Sequence, residues 1–276
     1  MTGMSDTQPM AAATVRRPSL LRIYRTEAAH EFLKLVRVPI FAISTIAFPL
    51  MFYVIFGLTF ADESTNGVGV TTYMLATYGA FGVIGSALFG FGVSVAMERG
   101  QGWMRLKRVS PMPPLAYFVA KVVMSVSFAA LIVASLFVLG ATVGDVRMPA
   151  EQWIGLAGVL VIGALPFCAM GLAFGYLVGP NSAPAVLNLV YLPMAFASGL
   201  WIPLFQLPEL VQSIAPFLPP YHFAQLAVGT FGASVGDHPV LHVGALIGFT
   251  HRFPGRCRLG LSARRGTHLW MRAATT

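Results

Sequence analysis

The 276-residue sequence is 56% hydrophobic and only 10% charged, with a mean hydropathy of +0.73. Soluble domains carry about 25% charged residues, so this composition excludes an ordinary soluble domain and indicates an integral membrane protein. The net charge of +8 does not favour nucleic-acid binding, because the basic residues lie beside apolar runs, as they do when they set membrane orientation. The two cysteines, Cys168 and Cys257, lie in dissimilar settings and favour neither a disulfide framework nor a metal cluster.

Residues 1–19 lack the apolar core of a signal peptide, and we expect a flexible cytoplasmic tail there. The next stretch, "LLRIYRTEAAHEFLKLVRVP", predicts an amphipathic helix on the membrane surface. Its apolar residues recur at steps of three and four: Leu20, Tyr24, Ala28, Phe32 and Leu35. The alternative is a solvated helix that merely extends the first span.

Five apolar runs are long enough to cross a hydrocarbon core about 30 Å thick, which needs about 20 helical residues. Because backbone groups in lipid must hydrogen-bond to each other, all five are expected to be helices. The runs are Val38–Phe60, Tyr73–Ala96, Leu115–Ala141, Trp153–Val178 and Ala183–Phe205. Pro39, Pro49, Pro166 and Pro193 predict kinks within them.

The distribution of Lys and Arg predicts the orientation. Six of these residues precede the first span and four lie in the loop 97–113, whereas the loops 61–72 and 142–152 hold only Arg147. The positive-inside rule therefore places the amino terminus and the loop 97–113 in the cytoplasm. Lys121, one or two turns into the third span, is expected to extend its ammonium group back to that same face.

The C-terminal region is irregular. Several prolines break residues 205–240, and the helical patterns around Leu210 and Phe223 predict two short interfacial or re-entrant helices on the outer side. A sixth span begins at "VLHVGALIGFT" but gives way near His251 to an arginine-rich sequence. We therefore expect residues 20–250 to form one transmembrane domain and residues 251–276 to be an atypical basic tail. A frameshifted or truncated reading frame would explain that tail.

Two long stretches carry a resemblance to a known family: "MERGQGWMRLKRVSPMPPLAYFVAK" and "NLVYLPMAFASGLWIPLFQLPELVQSIAPFLPPYHFAQL". Together with the order of the spans, they resemble the membrane subunit of ABC-2 type exporters, particularly the small permeases of drug and natural-product efflux, over about residues 20–250. The resemblance implies a six-span, all-α bundle in the cell inner membrane that works as a dimer. It further implies a separate ABC ATPase subunit and a hydrophobic or lipid-like substrate.

In that family the loop between the second and third spans forms a coupling helix that docks on the ATPase. The residues that match its motif or lie beside it are Glu98, Arg99, Gly100, Trp103, Arg105, Leu106, Lys107, Arg108 and Pro111. The alternative is a simple positive-inside anchor, which needs the basic residues but not the acidic residue, the tryptophan or the proline. No G-x-x-x-x-G-K-[ST] phosphate loop occurs in the sequence, so we expect ATP and Mg²⁺ to be used by the partner, with no cofactor, metal or catalytic residue in this chain.

Small residues recur at every fourth position in two spans, which lets helices approach closely within one chain or between two copies. These residues are Gly82, Ser86, Gly90 and Ser94 in the second span and Gly171, Gly175 and Gly179 near the end of the fourth. The resemblance implies a substrate path near the second and fifth spans. Its candidate lining residues are Met194, Phe196, Ser198 and Trp201.

Three other functions compete with that of an exporter subunit. An ion-driven carrier needs ionisable residues inside the bundle, and no Asp or Glu lies in the interior of a predicted span. An intramembrane serine protease would use Ser198 with His222, His238 or His242 as the base. A non-transporting membrane anchor or sensor is the stronger competitor, because the basic loop could hold any soluble partner.

Overall fold

A computed structural model describes residues 19–61, 64–65, 67–104, 112–234 and 238–251. In this part of the chain, four helices are long and apolar enough to cross a membrane: Pro39–Gly57, Val70–Gly100, Leu115–Thr142 and Ala150–Leu177. The all-α membrane class and four of the five predicted spans are therefore confirmed. The tail residues 252–276 lie outside the described residues.

The helices are numbered in chain order, and several begin at proline because a residue in the first turn needs no partner for its N–H. They are α1 (Leu20–Val36), α2 (Pro39–Phe52), α3 (Val70–Gly85), α4 (Ser94–Gly100), α5 (Pro114–Thr142), α6 (Ala150–Ile162), α7 (Ala164–Leu177), α8 (Ala183–Ala197), α9 (Glu209–Ile214), α10 (Pro219–Gly229) and α11 (Pro239–His251). Two π-helical segments, Tyr53–Gly57 and Ser86–Val93, complete the first and second spans. A small antiparallel hairpin, Ser64–Thr65 with Val68–Gly69, connects those spans.

The last two apolar helices are short. Helix α8 has 15 residues, which cover about 22 Å at 1.5 Å per residue, and α11 is shorter still. The predicted fifth span ran to Phe205, and this boundary is wrong because the chain turns at Gly199, whose φ of 76° lies in the left-handed region that glycine adopts readily. Six complete spans therefore stay a prediction.

The second span forms the centre of the bundle, and nearly every residue of α3 is buried. Its π-helical segment packs closely on the fourth span at glycines of both helices. A Cβ atom placed on Gly92 would lie 2.9 Å from the carbonyl oxygen of Gly171, and one on Gly175 would lie 2.9 Å from the carbonyl oxygen of Gly92. The two backbones can meet at this distance only because no side chain separates them.

The fourth span is interrupted where it contacts α10. Helix α6 ends at Ile162 and α7 begins at Ala164, so the break falls at Gly163. Pro166 lies in the first turn of α7, where its missing N–H costs no helical hydrogen bond. A Cβ atom on Gly163 would overlap the Phe223 ring at 2.0 Å, so the break also admits the aromatic side chain of α10.

Helix α1 packs along the third span through its predicted apolar stripe. The Phe32 ring lies tilted against the Phe128 ring with centroids 5.4 Å apart, and Tyr24, Ala28 and Leu35 are partly buried. Ser19 caps the helix by accepting a hydrogen bond from the Arg22 backbone N–H at 3.4 Å. From Tyr24 to Leu35 the stripe therefore contacts protein, and no described part of the chain covers the opposite face of α1.

Two short helices, α9 and α10, occupy the segment predicted to be re-entrant, and a histidine pair links α10 to α11. The Nδ1 atoms of His222 and His242 are 2.8 Å apart, and His222 Nε2 lies 2.9 Å from the Pro216 carbonyl oxygen. A carbonyl oxygen only accepts, so His222 Nε2 donates to Pro216 and its neutral Nδ1 accepts from His242. Burial lowers the pKa of His222 from its ordinary value of 6.5.

The glycine contact predicts a stability difference between two alanine variants. Gly92→Ala should lower the free energy of unfolding by about 1–3 kcal/mol, because the new methyl group meets backbone that cannot move aside. Gly158→Ala is the matched control. Gly158 lies in the fourth span, which Gly92 contacts, but no atom lies within 4 Å of its Cβ position. Thermal unfolding in detergent micelles measures both; equal melting temperatures would contradict the close packing.

The histidine pair predicts a pH dependence of stability. With its folded pKa lowered, His222 binds a proton more readily in the unfolded state, so its stabilising contribution is present above about pH 6.5 and is lost as the pH falls through the folded pKa. Melting temperatures measured from pH 8 down to pH 5 should fall more steeply for the wild type than for His222→Gln. His30→Gln, at an exposed position on α1, should follow the wild type; parallel curves for all three proteins would refute this role.

Candidate functional site

Lys121 is fully buried in the third span, with 0% of its surface exposed. Its ammonium nitrogen lies 2.8 Å from Glu98 Oε1 and 2.6 Å from Glu31 Oε2, and it donates a hydrogen bond to Ser94 Oγ at 2.9 Å. The expectation that Lys121 extends to the membrane surface is therefore wrong. Two carboxylates from other helices neutralise it inside the bundle, so the side chain has no need to reach water.

Glu98 is the centre of this arrangement. It lies in the last turn of the second span, where the Tyr117 hydroxyl donates to its Oε2 at 2.7 Å and Lys34 forms an ion pair with its Oε1. The observed helix includes Glu98 because it extends to Gly100 instead of ending near Ala96, and Glu98 lies at its end and not in the span interior.

We call these residues the charged junction: Glu31 and Lys34 of α1, Glu98 of α4, and Tyr117 and Lys121 of α5. The junction contains two carboxylates and two ammonium groups, so its formal charge is zero. Balanced and hydrogen-bonded groups tolerate burial, whereas a single unpaired charge would not. The junction therefore fixes the end of the second span against both α1 and the third span.

Arg99 and Gly100 fix the same turn on its other side. The Arg99 guanidinium donates to the carbonyl oxygens of Tyr176 and Val178, at the C-terminal end of the fourth span, where helix carbonyls are unpaired and attract positive charge. A Cβ atom on Gly100 would lie 2.4 Å from Pro180 Cγ, so only glycine admits the turn that follows the fourth span. Residues 98–100 are thus held by three other helices.

The chain leaves this anchored turn towards solvent. Trp103 is 53% exposed, and Gly102 has a φ of 81° that redirects the backbone. Arg105, Leu106, Lys107, Arg108 and Pro111 lie outside the described residues. An exposed tryptophan directly after a rigid turn is suited to entering a groove of another protein.

A second feature is a groove of about 310 Å³ between the first span, the second span and α8. Its lining includes five aromatic side chains, among them Phe48, Phe81 and Tyr191, and the rings of Phe81 and Tyr191 stack with centroids 5.3 Å apart. Ser44 and Asn188 supply polar groups. Among the described residues that line the groove, none is acidic or basic. Such a surface suits an apolar or weakly polar molecule.

The four candidate path residues lie beside this groove and do not line it. Trp201 is half-buried, with its ring 5.6 Å from Phe81 and 6.4 Å from Phe196. Met194 packs against the core and Ser198 is buried. Phe81 therefore connects the groove to the predicted path, whose role stays a prediction.

The serine protease hypothesis finds no support in the geometry. In the part of the chain that the structure describes, Ser198 Oγ has no hydrogen-bond partner. The proposed base His222 is instead bonded to His242 and the Pro216 carbonyl oxygen. A nucleophilic serine requires a base within hydrogen-bond reach.

The small residues of both stripes lie at contacts within the chain. Gly82 faces Pro49 and Ile132, and Gly90 faces Leu35 and Met124. Gly171 and Gly175 meet Gly92, which the fourfold spacing did not include. Ser86 and Gly179 contact residues three positions away in sequence, whereas Ser94 donates to the Phe91 carbonyl oxygen and also accepts from Lys121.

Comparison with known proteins decides the family, because residues 24–231 match the ABC-2 type transporter family. The chain belongs to the ABC-2 type transporter family. It is also 26% identical over 203 residues to a Bacillus subtilis (strain 168) protein named as a transport permease, YvfS, with 74% of this chain and 83% of that protein covered. The matched region includes the charged junction and the groove. This ABC-2 permease is therefore the membrane subunit of a transporter and a multi-pass membrane protein.

Sequence analysis of the permease missed Glu31, Lys34 and Tyr117. One signal was available for Glu31, since it lies three residues after Ala28 and four before Leu35, on the apolar stripe of α1. An acidic residue on an apolar stripe requires a buried cation. Lys34 and Tyr117 gave no comparable signal, because both residue types are common at membrane interfaces.

The charged junction predicts that removal of its buried cation destabilises the permease and that removal of a carboxylate as well restores part of the stability. Lys121→Met should lower the stability of the permease by about 3–5 kcal/mol, because the two carboxylates of the junction then lose the buried cation that they share and only the half-exposed Lys34 balances them. Adding Glu98→Gln to that variant should recover part of the loss, since one uncompensated carboxylate is removed. Thermal unfolding in detergent of the wild type, the two single variants Lys121→Met and Glu98→Gln, and the double variant measures this coupling, and strictly additive losses would show that the groups do not interact.

Proposed function

We propose that this ABC-2 permease is the membrane-spanning subunit of an ATP-driven exporter in the cell inner membrane. Two permease copies and two separate ATPase subunits would form the complex, with the amino terminus in the cytoplasm. ATP binding and hydrolysis by the ATPases would move residues 98–111, and the spans would alternate between inward and outward access. The cargo would be a hydrophobic or amphipathic small molecule or lipid.

The observation that carries the proposal is the anchoring of residues 98–100. A segment that transmits force must be stiff towards the bundle and exposed towards its partner. The charged junction joins Glu98 to α1 and the third span, Arg99 joins the turn to the fourth span, and Trp103 is exposed only three residues beyond Gly100. A passive positive-inside anchor needs neither the buried ion pairs nor the exposed ring.

The groove supports the proposed class of cargo. Its apolar and aromatic side chains gain free energy by contact with apolar or planar groups, and the described residues that line it offer no charged group to a strongly ionic solute. The first span, which forms one wall, is also the most exposed of the four candidate spans. A second copy placed against that span would convert the open groove into an enclosed path.

The junction also bears on the rival carrier mechanism. An ion-driven carrier needs an ionisable group that can change its charge during the cycle. Glu98 and Lys121 instead compensate each other within a neutral cluster at the end of the second span. Their arrangement favours a mechanical role over proton or sodium binding.

Substitution of Trp103 tests the coupling role. The permease is purified with the ATPase that accompanies it, and both ATP hydrolysis and ATP-dependent dye export are measured in proteoliposomes. Trp103→Ala should insert into the membrane and should be as stable as the wild type when purified without the ATPase. It should lose most of the export per ATP hydrolysed, because the contact that transmits movement is removed. Glu98→Gln should have the same effect by loosening the turn.

Phe217→Ala is the matched control, because Phe217 is a comparably exposed aromatic residue distant in sequence from the junction. Its export should equal that of the wild type. Unchanged export in both Trp103→Ala and Glu98→Gln would exclude the coupling role. Failure to recover any ATPase, with no stimulation by added ATP, would favour the anchor or sensor.

A further inference from the structure

The outward face of α1 is not covered by any described part of the chain. Arg22, Arg25, Ala29, Leu33 and Val36 follow one another at steps of three and four and are all exposed. The opposite face carries Glu31, which contacts Lys121 of the third span. Helix α1 therefore contributes one face to the charged junction, and its second face is exposed and available to another partner.

The chemistry of this outward face changes along the helix. The arginines lie in the first turns, whereas Leu33 and Val36 lie in the last turns, directly before the first span. The apolar series continues into that span with Ile40 and Ile43, of which Ile40 is 80% exposed. Because the first span lies in lipid, the apolar end of the face must enter the hydrocarbon boundary, and its cationic end then lies at the level of the headgroups.

The charges on this face are of one sign. The two acidic residues of α1, Glu27 and Glu31, lie away from it, half-buried and buried respectively. Arg22 and Arg25 are one turn apart, so that both guanidinium groups can approach the same phosphate region. Guanidinium groups form paired hydrogen bonds with phosphate oxygens, and phosphates are the anions that a bilayer presents at headgroup level, which favours an anionic phospholipid over an uncharged lipid.

We propose that the outward face of α1 binds anionic phospholipid headgroups in the leaflet that lies on the same side as the charged junction. Arg22 and Arg25 bind the phosphates, and Leu33, Val36 and Ile40 pack against the upper acyl chains. The electrostatic attraction of a basic, membrane-surface helix to anionic lipid supplies the selectivity. This inference does not depend on the exporter hypothesis, because it concerns the lipid surroundings of the permease alone.

The proposal connects lipid composition to the charged junction. Helix α1 contributes Glu31 and Lys34 to the junction through its inner face, and both faces belong to one continuous 17-residue helix. Headgroup binding that fixes the depth of α1 also fixes those two side chains. Arg22 and Arg25 are therefore positioning residues for the turn at Glu98.

The test is a lipid titration of the purified full-length permease in detergent, read by native mass spectrometry. Dioleoylphosphatidylglycerol and dioleoylphosphatidylcholine are added separately, and the affinity ratio is measured. The wild type should prefer the anionic lipid, and Arg22→Gln/Arg25→Gln should weaken its binding roughly tenfold or more. Arg22→Lys/Arg25→Lys keeps the charge and should retain most of the preference, which separates charge from folding.

Arg147→Gln is the matched control, since Arg147 is an exposed arginine in the loop between the third and fourth spans. Its lipid preference should equal that of the wild type. Equal affinities of the wild type for the two lipids, or an unchanged preference in the double glutamine variant, would overturn the proposal. If that variant keeps its lipid preference but no longer co-purifies with an ATPase, the face binds a protein and the proposal is equally overturned.

Discussion

The structure depends on how one buried cation is neutralised. Lys121 has no access to water within the third span, so carboxylates must come to it, and they come from Glu31 and Glu98 in two other elements. A buried ion pair adds little net stability compared with apolar packing, but losing one partner is costly. The arrangement of three elements is thus specified by charge balance, because ion pairs join α1, the end of the second span and the start of the third span.

This constraint makes the anchored turn, residues 98–100, stiff relative to the bundle. Lipid-facing helices associate through packing and small residues, because no hydrophobic driving force acts between helices in lipid. The Gly92 contact supplies such packing between the second and fourth spans, and the junction and Arg99 add directional bonds near the end of the same helix. A displacement applied near Trp103 would therefore reach three helices at once, whereas a loop held only by its own backbone would bend.

Sequence analysis predicted the parts of the fold that the membrane itself imposes. Long apolar runs must be helical in lipid, and four of them are helices close to their predicted bounds. It did not predict features that depend on tertiary contacts or on a single turn. The left-handed turn at Gly199 shortens α8. The carboxylates that pair with Lys121 lie 90 and 23 residues away along the chain. The family motif identified Glu98, Arg99 and Gly100 as important, but the reason for each, an ion pair, a helix cap and contact with Pro180, required coordinates.

The central claim is that the charged junction holds the exposed Trp103 towards a cytoplasmic ATPase. The side of the membrane on which Trp103 lies tests this claim most directly. A single cysteine is placed at position 103 after Cys168 and Cys257 are replaced, and a membrane-impermeant maleimide is applied to intact cells and to inverted vesicles. We predict labelling in inverted vesicles and none in intact cells, with the reverse for a cysteine at Ser64 in the hairpin between the first and second spans. Labelling of position 103 from the outside of intact cells would contradict the account.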